Sequence, residues 1–144
     1  MNKPFFINWQ DEFIQGEALI DEQHRAVLAT INSFHYFLQQ GQGVEALMPT
    51  VNILVRYIGF HMKTEEGLLR AAEYPGLADY IVDSDNVTDE FMAICQLAID
   101  NQNPDGLLVF IREWWQSHLE LHHKTTPYLM NCAGQYCRVD AHTA

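Results

Sequence analysis

Apolar residues recur along this chain with a helical period, and they do so in four separate stretches. In IDEQHRAVLATINSFHYFLQQG the apolar side carries His24, Val27, Leu28, Ile31, Phe34, His35 and Leu38, a spacing of three and four that predicts a first helix. Asp21 is its candidate N-cap and Gly41 its stop. A second helix is expected from about Glu45 to Ala72, with Pro49 suited only to its first turn. EYPG breaks the pattern. A third helix is expected over Leu77–Ile99, with a weak first half, because IVDSDNVTD is rich in poor helix formers. NPDG then offers Asn103 as a cap and Pro104 as the first helical residue. The fourth helix, LLVFIREWWQSHLELHHK, is expected to end before Pro127. Short connections favour antiparallel neighbours. The expected fold is all-α: an up-down-up-down antiparallel four-helix bundle with an N-terminal arm, a single domain over residues 1–144.

The polar interruptions of the apolar stripes carry the chemistry. On the second helix, Leu54, Ile58, His61, Glu65, Leu68 and Ala72 share one face. His61 and Glu65 are one turn apart, so an imidazole and a carboxylate point from the apolar side together. His24 lies near the start of the first helix and His118 in the last third of the fourth. Antiparallel packing can bring His24, His61, Glu65, His118 and either His122 or His123 to one end of the bundle. A buried carboxylate without a partner costs several kcal/mol, and a metal ion removes that cost. Imidazole with carboxylate suits iron, zinc or manganese. His35 shares the face of His24 but lies about 16 Å along the helix, so it is expected to be a core histidine. The aromatic and methionine positions, Trp114 and Trp115 among them, are read as core packing.

Charge and motifs narrow the function classes. Eight Lys and Arg against 19 Asp and Glu give a net charge of -11, which argues against a nucleic-acid partner or an anionic membrane surface. Cys95, Cys132 and Cys137 are odd in number and form no CxxC pair, so neither a disulfide framework nor a zinc ribbon is indicated. Cys132 and Cys137 are expected in an irregular tail, as incidental thiols. The apolar run near the N-terminus is too short for a signal peptide, and no run approaches the ~18 residues of a membrane span. A cytoplasmic location is expected. No GxSxG, P-loop or Rossmann pattern appears, and the chain is not expected to be an enzyme.

Five stretches together resemble the bacterial hemerythrins: FFINW, ALIDEQHRAVL, HMKTEEGL, EYPGL and WWQSHLELHH. The resemblance implies a four-helix bundle holding non-haem iron, with O₂ or another diatomic molecule as ligand. It places metal ligands at His24, His61 and His118, and a metal-bridging carboxylate at Glu65. The family's third helix carries HxxxH after the YP turn, and those positions are Tyr80 and Ser84 here; no histidine occurs between Met62 and Ser117. The family's aspartate on the fourth helix, five residues after the histidine, falls at His123. His123 is therefore expected as the fifth ligand through a locally widened helix, and His122 as a surface or neighbouring residue.

These departures imply a remodelled, incomplete di-iron site with fewer than two tightly held metals, acting in oxygen or metal binding or sensing. Tyr80, Asp79, Asp83, Asp85 and His122 are the residues available to replace the missing ligands. Two other readings follow from the same pattern: a working O₂-binding di-iron protein, and an interaction module with a structural metal or none. The native metal, one or two ions, and any protein partner are left open by the sequence.

Overall fold

The computed structural model describes residues 5–143, and the side chains of residues 5–130. Cys132, Cys137 and His142 lie outside the residues whose side chains are described. A single 3₁₀ turn (Asp11–Phe13) precedes four α-helices: α1 (Ala18–Gln39), α2 (Val44–Ala71), α3 (Leu77–Asn101) and α4 (Asp105–Thr143). Connections of a few residues reverse the chain each time, giving the expected all-α antiparallel four-helix bundle. α2 packs against α1, α3 and α4, and α3 packs against α4. Ile20, Val27, Ile31 and Phe34 of α1 meet Leu47, Leu54 and Leu69 of α2, Phe91 of α3, and Leu107, Ile111 and Trp115 of α4 in one buried core.

Three boundaries differ from the sequence expectation. The cap of α1 is Glu17, not Asp21: the Glu17 carboxylate accepts the Ile20 N–H at 2.8 Å. Asp21 sits inside the first turn and accepts the N–H groups of Gln15 (2.7 Å) and Gly16 (3.2 Å), tying the arm to the helix. A side chain in the first turn can serve donors on the preceding loop as well as those of its own helix. Pro49 lies beyond the first turn of α2, and α4 does not stop before Pro127 but continues to Thr143. Each proline removes one N–H donor from its ladder; the helix continues past the missing bond in both places. The weak first half of α3 is helical as well.

The turn between α2 and α3 needs its glycine. A Cβ at Gly76 would lie 2.8 Å from the Tyr74 ring, and that ring packs against Tyr128 of α4 at 4.9 Å. Glu73 enters the same turn with a left-handed φ of 55°.

The arm is fastened along α1. Ile7 donates its N–H to Asn32 Oδ1 at 2.9 Å and accepts from Asn32 Nδ2 at 2.9 Å. Phe6 stacks on His35 with ring centroids 4.9 Å apart. His35 is thus half-buried beneath the arm, not in the bundle core. The arm supplied an aromatic partner that the periodicity of α1 could not reveal.

Candidate metal centre

Stripes of three helices meet at one level of the bundle and bring five polar side chains into an apolar interior. His24 (α1), His61 and Glu65 (α2), and His118 and His122 (α4) are all buried. One ligating atom from each lies within 4.8 Å of every other. His61 and Glu65 converge because they are one turn apart on α2, and His118 and His122 because they are one turn apart on α4. His24 reaches the same point from the first turns of α1, beside the C-terminal half of the antiparallel α2.

The donors converge on a point. His61 Nε2 lies 3.0 Å from His24 Nε2 and 3.0 Å from His118 Nε2; His118 Nε2 lies 3.2 Å from His122 Nε2. Glu65 Oε1 is 2.8 Å from His61 Nε2, 2.7 Å from His122 Nε2, 3.2 Å from His118 Nε2 and 3.6 Å from His24 Nε2. A metal about 2.1 Å from each donor would set neighbouring donors about 3.0 Å apart in octahedral geometry. Most of these separations match that edge.

Hydrogen bonds around the cluster fix which ring nitrogens carry protons. The Thr64 hydroxyl donates to Phe60 O at 3.1 Å, so Thr64 Oγ1 accepts from Gln23 Nε2 at 3.1 Å. Gln23 Oε1 is then left to accept from His61 Nδ1–H at 2.9 Å. On α4, Thr126 donates to Gln15 Oε1 (2.8 Å) and Thr125 to Leu121 O (3.5 Å). Both hydroxyl oxygens face His122 Nδ1 at 3.4 Å, and each can only accept from it. His61 and His122 therefore hold their protons on Nδ1 and turn bare Nε2 lone pairs toward the Glu65 carboxylate. Acceptor faces acceptor at 2.8 and 2.7 Å. That arrangement is repulsive unless a cation lies between, and outer hydrogen bonds of this kind are how proteins orient metal-binding imidazoles. The residues present fit a metal ion.

Electrostatics agree with this chemistry. Burial pushes His24 and His118 down to about 4 and lowers His61 as well, so these rings are neutral and available as ligands near neutral pH. Burial raises the Glu65 carboxyl, but attraction to the positive forms of the surrounding rings, His118 first and then His61, outweighs it and lowers the carboxyl well below its usual range; where those rings are neutral, a bound cation would supply that positive charge. Trp114 stacks on His118 at 5.0 Å and Trp115 packs edge-on against His24 at 5.2 Å, sealing the cluster with indole faces.

The structure sorts the sequence candidates. His24, His61, Glu65 and His118 come together. His123 does not: it is exposed, and His122 occupies the place expected for it. The reason is that α4 is regular α-helix through this stretch. A residue four after His118 then shares its face, whereas one five after points about 140° away. No widened turn is present. Tyr80 is buried and donates its hydroxyl to Glu65 Oε2 at 2.7 Å. Burial, then the Glu65 charge, raises the Tyr80 phenol far above its ordinary range, so it acts as a neutral donor and not as a phenolate. Ser84 is buried one turn further on, and Asp79, Asp83 and Asp85 are exposed. Sequence reasoning missed Gln23, Thr64, Thr125, Thr126 and Gln15. Only Gln23 left a signal, as the residue before His24 in DEQH.

Comparison with known proteins gives a partial match. The bacteriohemerythrins of Pseudomonas aeruginosa strains LESB58 and UCBPP-PA14 are each 36% identical to this chain over 66 residues. The bacteriohemerythrin of Pseudomonas paraeruginosa DSM 24068 / PA7 matches to the same extent. The matched stretch covers 46% of this chain and 42% of each relative's length. No family model and no solved structure matches the chain significantly. Among the described residues no helix is long and apolar enough to cross a membrane. Similarity to named bacteriohemerythrins, four packed helices and a buried His/Glu cluster together fit the hemerythrin-like family.

Proposed function

We propose that this chain is a hemerythrin-like protein that holds one metal ion, with His24, His61, His118, His122 and Glu65 as its ligands. The observation that carries the reading is the contact between Tyr80 and Glu65. A carboxylate that bridges two metals needs both oxygens free. Here Oε1 faces four imidazoles, while Oε2 accepts the Tyr80 hydroxyl at 2.7 Å. Tyr80 and Ser84 stand where the resemblance would place the two histidines of a second metal. A phenol and a hydroxyl therefore fill the space that a second ion and its ligands would need.

Iron is the metal that the resemblance to hemerythrins implies, although zinc and manganese suit the same donors. Iron held there would supply a redox-active centre able to bind a small ligand such as O₂. Four imidazoles and one carboxylate would hold the iron. A single iron lacks a second metal electron donor, so the reading favours oxygen, redox or metal sensing over reversible O₂ storage. The chain's own residues hold the imidazole protons outward, keep the carboxylate ionised, and exclude water with Trp114 and Trp115.

Elemental analysis of protein purified without chelator tests the stoichiometry. One equivalent per chain that survives dialysis is expected; two would overturn the reading. The double variant Tyr80→His with Ser84→His restores the HxxxH spacing and is expected to raise the retained metal toward two.

A further inference from the structure

An unbroken line of aromatic rings runs from His24 to the surface. Trp115 lies edge-on to His24 at 5.2 Å, Phe13 to Trp115 at 5.3 Å, and Trp9 to Phe13 at 5.6 Å. The Arg25 guanidinium covers the Trp9 ring at 4.0 Å. Trp9 also lines a groove of about 510 Å³ between the arm and α1, together with Phe5, Ile7, Tyr36, Phe37 and Arg25. That size lies within the range of small-molecule sites.

The groove's lining describes its occupant. Its walls are mostly aromatic and apolar, which suits a flat ring system. Two of its polar side chains are engaged: Asn32 bonds the Ile7 backbone through both amide atoms, and the Ser33 hydroxyl donates to Ala29 O. Among the described residues Arg25 has no ion pair and is the only charged residue lining the groove. An anionic group on the occupant would meet it.

We propose that this groove binds a flat, anionic aromatic electron donor of the flavin mononucleotide type, and that Trp9, Phe13 and Trp115 carry its electron to the metal at His24. The inference rests on the metal-binding reading above. One electron leaves the reduced flavin, tunnels across Trp9, Phe13 and Trp115 without oxidising any of them, and reduces iron(III) at the cluster to iron(II); the flavin is left as the semiquinone and its proton goes to solvent at the groove. No bond to either indole forms or breaks. Each indole keeps its proton, because the buried Nε1 atoms of Trp9 and Trp115 have no hydrogen-bond partner among the described residues.

Flavin mononucleotide itself is the probe. Titration into the protein should quench tryptophan fluorescence saturably, and Arg25→Gln should weaken binding at least tenfold. Reduced flavin mononucleotide should bleach the visible absorption of the oxidised iron-loaded protein. Phe13→Leu, which touches no ligand, should slow that bleaching at least tenfold while leaving flavin affinity, iron content and the rate with dithionite unchanged. Trp115→Phe should slow it likewise when each rate is compared at equal retained iron. Quenching that does not saturate or ignores Arg25→Gln overturns the groove, and equal bleaching rates in both path variants overturn the conduit. Protein that retains no iron overturns the metal-binding reading and the conduit with it. That failure is read from iron content alone, while titration of the iron-free protein still decides the groove.

Discussion

Replacing Tyr80 by phenylalanine removes one oxygen and leaves the packing of the ring in place. Tyr80 is 2% exposed and Glu65 fully buried, so no solvent stands ready to replace the lost donor. The bond is short, 2.7 Å, and its acceptor is a carboxylate. Hydrogen bonds to charged groups contribute about 1.5–3 kcal/mol, and an acceptor left unsatisfied in the interior costs a similar amount. The variant should therefore be destabilised by about 2 kcal/mol. In a chain of this size that corresponds to a fall of several degrees in Tm, at roughly 2–4 °C per kcal/mol. Urea unfolding followed by circular dichroism, in chelated and metal-loaded protein, measures it. The slope with denaturant should not change, because the exposed surface does not. Metal content should stay at one equivalent, since a neutral phenol donating to Oε2 is not a ligand. A loss below half a kcal/mol would show that Glu65 Oε2 does not depend on Tyr80. Loss of the metal, or of a visible tyrosinate band, would show that Tyr80 binds the ion directly.

Three further outcomes follow from the same geometry. His122→Ala should lose metal affinity by tenfold or more in a chelator competition, while exposed His123→Ala should lose little; the reverse would require an irregular α4. Chelation should lower the Tm of the wild type by mass action but leave that of His61→Ala almost unchanged; equal shifts would remove His61 from the ligand set. In metal-free protein, His24 and His118 are pushed down to about 4 by burial, against about 6.5 when unfolded. Between those values the unfolded chain binds more protons, so stability should fall as pH is lowered from about 6.5 to about 4; urea midpoints that stay level across this window would contradict neutral buried rings.

The sequence by itself determined the four helices, their antiparallel order and four of the five clustered side chains. Period and spacing are local properties: His61 and Glu65 share a face because α2 is helical there, whatever surrounds it. The resemblance of DEQH and HxxxEE to hemerythrin motifs was equally a matter of spacing, and so was the absence of histidine at Tyr80 and Ser84. The tertiary structure alone decided what depends on neighbours distant in the chain. His122 and His123 are adjacent and chemically identical, and only the unbroken register of α4 against α1 and α2 turns the first inward. Tyr80 became a donor to Glu65, fifteen residues away, because α3 lies beside α2 at that level. His35 left the core because Phe6 of the arm covers it. The proton positions of His61 and His122 depend on Gln23, Thr64, Thr126 and Gln15, contributed by α1, α2, α4 and the arm. Hydrogen-bond networks of that kind join elements through side-chain directions, which a hydropathy period does not encode.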